Sequence, residues 1–195
     1  PTAWPLFKRS SVAAFQRSVT DQDASFVNLE RDGTVLLATG PVGPKDARLR
    51  RSQALAHHNG TAVSIAQELI GRKLTQQARI AADHFGNHTV AGMMTAAREA
   101  LKSAETIRDL RHTEAQAALA YWSLMRNVSI DFPRADLARV PDHWRVFGTR
   151  HSPLTNSPRL SVNPPNAMLN YLYAVLEAES RLAAAAGGLD PGLAF

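Results

Sequence analysis

At 195 residues the chain can build one sizeable core, or a small domain beside a medium one. Hydrophobic residues at 45% and charged residues at 20% exclude the composition of a disordered chain. The absence of cysteine excludes disulfides, Cys-ligated zinc and thiol nucleophiles, and fits a reducing cytoplasm. A formal charge of +5, carried mostly by Arg, favours a polyanionic partner; no apolar run reaches the roughly 18 residues of a membrane span, so a cytoplasmic protein without a membrane partner is expected.

In the first 23 residues Trp4, Leu6, Phe7, Val12 and Phe15 are scattered among polar residues and read as short pieces of a trimmed domain. Ala24 to Leu29 and Thr34 to Thr39 are β-prone runs around Glu30-Arg31-Asp32-Gly33, a hairpin with Asp-Gly at its turn. One hairpin cannot bury its own face, so it belongs to a larger β domain. Gly40-Pro41-Val42-Gly43-Pro44 ends the strand region and places a domain boundary after residue 43.

Beyond it the pattern turns helical. Asp46 is placed to cap a helix through Ala56, and Thr61 to cap another carrying Val63, Ile65, Ala66, Leu69, Ile70, Leu74 and Ile80. Ala- and Met-rich turns follow over residues 90–104, and two long helices are expected near 105–126 and 164–186. The Pro- and Arg-rich stretch between them, residues 127–163, is too long for a simple loop. The fold class is therefore α+β, predominantly α-helical: residues 1–43 form a partial β domain and 44–195 a helical domain.

Ile107, Leu110, Glu114, Ala117, Tyr121 and Leu124 are spaced 3, 4, 3, 4 and 3 apart and share one helix face. Glu114 thus stands in the stripe that packs inward, where an unpaired carboxylate costs several kcal/mol or takes up a proton. A divalent cation, an Arg partner or a polar, water-filled cleft would each compensate; the alternative is a Glu at the edge of the stripe that snorkels to solvent or pairs with Arg111 or a more distant Arg. On the last helix Asn166, Asn170, Tyr173 and Glu177 align as a polar stripe beside an apolar one of Leu169, Leu172, Leu176 and Ala183. That stripe either lines a site or faces solvent.

Asp83, His84 and His88 have the residue types of a metal site, but Gly86 and Asn87 between them argue for a turn. His57 and His58, before Asn59-Gly60, suit a helix C-terminus. Arg48, Arg50, Arg51, Arg72, Lys73 and Arg79 are the candidates for DNA phosphate contacts, against an ordinary solvated helix surface. The chain has no Gly-rich phosphate loop, nucleophile elbow or Cys/His cluster.

Three segments carry a resemblance: Gly40 through Ala56; Glu114-Ala115-Gln116-Ala117-Ala118-Leu119-Ala120-Tyr121-Trp122; and Val140-Pro141-Asp142-His143-Trp144, running through Ser152-Pro153-Leu154-Thr155 to Asn163-Pro164-Pro165-Asn166 and on to Glu179. Together they resemble the CRISPR-associated endonuclease and spacer-integrase family, Cas one. The resemblance implies an N-terminal β-sandwich followed by a helical domain, a homodimer working with a second CRISPR adaptation protein, and insertion of double-stranded DNA into an array by transesterification. It also implies a Mg²⁺ or Mn²⁺ cofactor held by a Glu, a His and an Asp.

Only the Glu maps here, onto Glu114; in the family the His and Asp follow a motif similar to Gly188-Leu189-Asp190-Pro191-Gly192-Leu193-Ala194-Phe195. The expectation is therefore a fragment, truncated at both ends, with Glu114 as catalytic metal ligand, Asn166, Asn170, Tyr173 and Glu177 in support, and weak or no catalysis by this chain alone. The alternative is a non-catalytic helical scaffold that binds nucleic acid or a protein.

Overall fold

The structure, a computed structural model, describes residues 24–30, 34–40, 43–149 and 163–193. The first 23 residues, the Asp32-Gly33 turn, Pro41-Val42, Ser152-Pro153-Leu154-Thr155 and Phe195 lie outside them. The chain divides into two compact units, Pro1–Ala54 with Ala167–Ala194, and Leu55–Asn166.

In the first unit the β-prone runs pair as β1 (Phe26–Leu29) and β2 (Val35–Thr39). They are antiparallel, with Phe26 opposite Thr39 and Asn28 opposite Leu37, and the register shifts between Asn28 and Leu29. The Glu30 N–H donates to the Thr34 carbonyl at 2.8 Å, closing the ladder beside the turn. Helix α1 (Ala47–Leu55) starts where Asp46 puts a carboxylate oxygen 2.8 Å from the Arg48 N–H and 3.1 Å from that of Leu49, satisfying donors that have no intrahelical partner.

Gln53 is the buried residue of α1. Its amide donates to the Asp190 carbonyl at 2.8 Å and accepts from the Asp190 N–H at 2.8 Å, pinning the Gly-Leu-Asp-Pro-Gly motif to the helix. Close backbone approach explains one glycine of the breaker cluster: a Cβ on Gly43 would fall 2.3 Å from the Ala185 carbonyl oxygen, so no other residue fits without movement.

The second unit is built on α2 (Thr61–Asp83), α3 (His88–Leu101) and α4 (Ile107–Met125), each packed on the other two. Leu74, Ala81, Val90, Met94, Leu101, Leu110, Ala117 and Tyr121 form the shared core. Thr61 is the first helical residue rather than the cap. The cap is Gly60, whose φ of +78° an L side chain would resist, and the Asn59 side chain accepts the Thr61 N–H at 3.0 Å. Gly86, at φ +59°, turns the chain out of α2, and the Asn87 side chain caps α3 by accepting the Val90 N–H at 2.9 Å.

Helix α4 opens with a capping box, in which Thr106 accepts the Asp109 N–H at 3.2 Å and Asp109 accepts the Thr106 N–H at 3.1 Å. The Thr106 hydroxyl and backbone bonds hold the Asp109 carboxyl below its ordinary value of 3.8. A depressed carboxyl pKa contributes stability that is present above the ordinary value and lost as pH falls through the lowered one. Thr106→Ala is expected to lower the thermal midpoint by roughly 2–4 °C near neutral pH. The difference from wild type should shrink in melts run in acid below that range.

After α4 the chain makes an isolated antiparallel bridge between Ser129 and Val146 and a 3₁₀ turn at Asp142–Trp144. The long connection thus has structure of its own, and Phe147 stacks on Trp122 of α4 with ring centroids 6.1 Å apart. Helix α5 spans Pro164–Ala186. Its inward residues are Asn166, Ala174 and Ala178, whereas Leu172 and Leu176 of the expected apolar stripe are exposed. The leucines beside the polar stripe are thus not the buried residues of the helix. Among the described residues no helix is long and apolar enough to cross a membrane.

Candidate functional site: Glu114 and its surroundings

Helix α4 places Glu114 on the same face as Leu110, Ala117 and Tyr121, all of them buried. The Glu114 side chain retains 27% of its exposure, so the carboxylate sits at the border of the core. Its compensating charge is the Lys73 ammonium of α2, in ion-pair contact with Oε1. The partner is therefore a lysine rather than Arg111 or a distant arginine.

Among the described residues, the other ion pairs are local contacts three or four residues apart: Glu68 with Arg72, Glu99 with Lys102, Asp136 with Arg139, Asp142 with Arg145 and Glu177 with Arg181. The Lys73–Glu114 pair joins two helices.

The basic residues divide in the same way. Arg50 Nε donates to the Gly188 carbonyl at 3.5 Å, Arg72 pairs with Glu68, and Lys73 with Glu114. Arg48, Arg51 and Arg79 are exposed and their side chains make no ion pair among the described residues.

The amide stripe of α5 does not act as one group. Asn166 is buried and its amide donates to the Phe147 carbonyl at 3.2 Å and to the Asn163 side chain at 2.7 Å. Asn163, which the sequence reading did not single out, donates to the same carbonyl at 2.8 Å and accepts the Asn166 N–H at 3.0 Å. These bonds fix the start of α5 to the segment carrying Phe147. Asn170 is partly buried, Tyr173 is exposed, and Glu177 is exposed and bonded to Arg181 at 2.7 Å.

Asn166 Oδ1 and Gln77 Oε1 are buried acceptors without a hydrogen-bond donor among the described residues. Gln77 follows Lys73 by one helical turn on α2, on the same face. The Asp83, His84 and His88 candidates fall at the end of α2, its cap and the start of α3. No group of three or more His, Cys, Asp or Glu that could hold a metal occurs among the described residues. The donor set at Glu114 is thus one carboxylate already matched by an ammonium. It suits one ligand position and does not by itself complete the sphere of a hard divalent cation.

A family model described as "CRISPR associated protein Cas1" matches residues 10–195. Among curated proteins, the chain is 30% identical over 167 residues to the CRISPR-associated endonuclease Cas1 1 of Archaeoglobus fulgidus, covering 76% of this chain and 45% of that protein. It is 29% identical over 161 residues to Cas1 2 of Pyrobaculum aerophilum, covering 80% and 46%. The chain spans about half the length of these curated relatives.

Among solved structures it is similar to a casposase bound to integration product, with a TM-score of 0.62 and 20% identity, covering 90% of this chain and 46% of that one. It is also similar to a partial Cas6-RT-Cas1–Cas2 complex, with a TM-score of 0.52 and 15% identity, covering 89% and 49%. At these identities the likeness is one of fold.

Proposed function

The chain belongs to the CRISPR-associated protein Cas1 family, and from that premise we propose that it is part of a divalent-metal-dependent DNA endonuclease and integrase that inserts spacer DNA by transesterification. The observation that carries the reading is Glu114, a carboxylate held at the border of the core on the inward face of α4. It would supply one ligand to Mg²⁺ or Mn²⁺. When bound, such an ion stabilises charge on the reacting phosphoryl group.

The protein's own share of the work is positional. Packing of α2, α3 and α4 fixes the direction of the carboxylate. Asn166 anchors the start of α5, and Asn170, Tyr173 and Glu177 enter the reading as supporting residues on the family resemblance. Arg48, Arg50, Arg51, Arg72, Lys73 and Arg79 would neutralise phosphates of double-stranded DNA. The casposase likeness supports DNA as the partner, and the Cas1–Cas2 likeness supports a second CRISPR adaptation protein.

The reading includes a homodimer in the cytoplasm, with β1 and β2 belonging to an N-terminal sandwich over residues 1–43 and the helical domain following from 44. With one carboxylate at the site, this chain alone would be weak or inactive in catalysis.

A second reading, a non-catalytic scaffold for nucleic acid or protein, is favoured by the fact that Lys73 already balances Glu114. Calorimetric titration with Mn²⁺ separates the two. Weak heat in wild type that is lost in Glu114→Ala supports the integrase site; identical titrations refute Glu114 as a ligand and leave the scaffold.

A further inference from the structure

A cleft of about 360 Å³ lies between one side of α2 and the last turn of α3, within the second unit. Its α2 wall includes Ser64, Gln67, Gly71 and Thr75, spaced 3, 4 and 4 apart, so a single helix face opens on it. Leu101 of α3, itself buried, lines the other wall. Lys73 stands two residues from both Gly71 and Thr75, hence half a turn round α2, so the cleft and the Glu114 pair fall on different sides of the helix.

Three features define what the cleft accepts. First, polar groups inside it are already engaged: the Gln67 amide donates at 3.1 Å to the carbonyls of Leu101 and Ala104, and the Thr75 hydroxyl donates at 2.9 Å to that of Gly71. A phosphate, which calls for several donors, is poorly served there, whereas an apolar side chain gains by leaving water. Second, the charge lies at the mouth, where Arg72, Arg98 and Lys102 are exposed. Glu68 pairs with Arg72 and Glu99 with Lys102, but Arg98 makes no ion pair among the described residues, which leaves one positive charge unmatched.

Third, Gly71 keeps the cleft deep. Glycine inside a helix costs stability relative to alanine, and close packing is one reason to find it there. Around Gly71 nothing packs: a Cβ built on it meets no described atom within 4 Å beyond its own local backbone. The missing side chain instead leaves room between α2 and α3.

We propose that this cleft docks an acidic segment of a partner protein. One aromatic or large aliphatic side chain of that segment enters against Gly71, Thr75 and Leu101, and a neighbouring carboxylate meets Arg98 at the mouth. The volume suits such a side chain with its adjoining backbone. Charge complementarity selects the occupant, since the mouth has a surplus cation and the chain as a whole carries +5.

The test uses the whole chain and a fluorescein-labelled peptide in which one phenylalanine is flanked by aspartate and glutamate, with binding read by fluorescence anisotropy. Gly71→Leu, which fills the cleft, should weaken binding about tenfold, and Arg98→Ala about fivefold. Gly71→Ala leaves most of the depth, and Arg111→Ala removes the same charge from an exposed position on α4; both should stay within about twofold of wild type. Serine in place of the peptide's phenylalanine should cost about tenfold. Thermal melts verify folding, and Gly71→Leu should melt no lower than wild type because leucine is the better helix former.

Absence of peptide binding to wild type at millimolar concentration, or equal binding by wild type and Gly71→Leu, overturns the proposal. A short DNA duplex is expected to bind wild type and Gly71→Leu alike. If the duplex loses affinity in Gly71→Leu as the peptide does, the cleft belongs to nucleic acid and the proposal falls.

Discussion

Replacing Arg48, Arg51 and Arg79 together by Ala is expected to weaken binding of short duplex DNA and to flatten its salt dependence. Each phosphate contact steepens the fall of log affinity with log salt by about 0.9, so losing all of them should make the slope shallower by roughly 2.7. Between roughly 50 and 200 mM salt, wild type should then lose about 40-fold more affinity than the variant.

These arginines are chosen because their guanidinium groups are exposed and make no ion pair among the described residues. Arg50, Arg72 and Lys73 must give up an existing contact before meeting a phosphate, and their joint replacement should change the slope less. Fluorescence anisotropy across a salt series gives both slopes. Parallel lines for wild type and the first variant would remove Arg48, Arg51 and Arg79 from the DNA surface.

Leu110→Ala should have the largest effect on stability. Leu110 is fully buried, as are Leu74 and Met94, and all three lie in the core shared by α2, α3 and α4. Truncating a packed leucine removes its transfer energy and leaves a cavity, together about 2–5 kcal/mol. For a chain of this size that corresponds to a fall of roughly 4–20 °C in melting temperature. Leu119→Ala, on the same helix but 70% exposed, is the control and should shift the midpoint little. Because Leu110 lies one turn before Glu114 on the same face, loosening it should also weaken Glu114-dependent Mn²⁺ binding, a coupling that Leu119→Ala should not show.

Much of the architecture was legible because its signals are local. The hairpin, the Asp46 cap and the extent of α4 and α5 follow from side-chain periodicity and from residues that satisfy nearby backbone donors. That Glu114 shares a face with Leu110, Ala117 and Tyr121 was legible for the same reason, since a helix face is fixed by spacing; that its carboxylate lies at the border of the core and not within it was not.

Its partner was not. Nothing local to α2 distinguishes Lys73 from Arg72, yet one meets a carboxylate 41 residues away and the other one four residues away. The roles of Gln53 and Asn163 were hidden likewise, because a buried amide is recognisable only once the carbonyl it serves has been brought to it by the fold. Which residues of α5 are buried was not legible either, because alanine contributes little to a hydrophobic pattern.

The bonds at the start of α5 have a wider consequence. Pro164 and Pro165 have no N–H to satisfy, and the next donor, on Asn166, is taken by the Asn163 side chain. The first N–H of the helix is thus satisfied from within the chain, three residues back, without recourse to water. An insertion between Asn163 and Asn166 would part this acceptor from the donor it serves even if the rest of the helix remained intact.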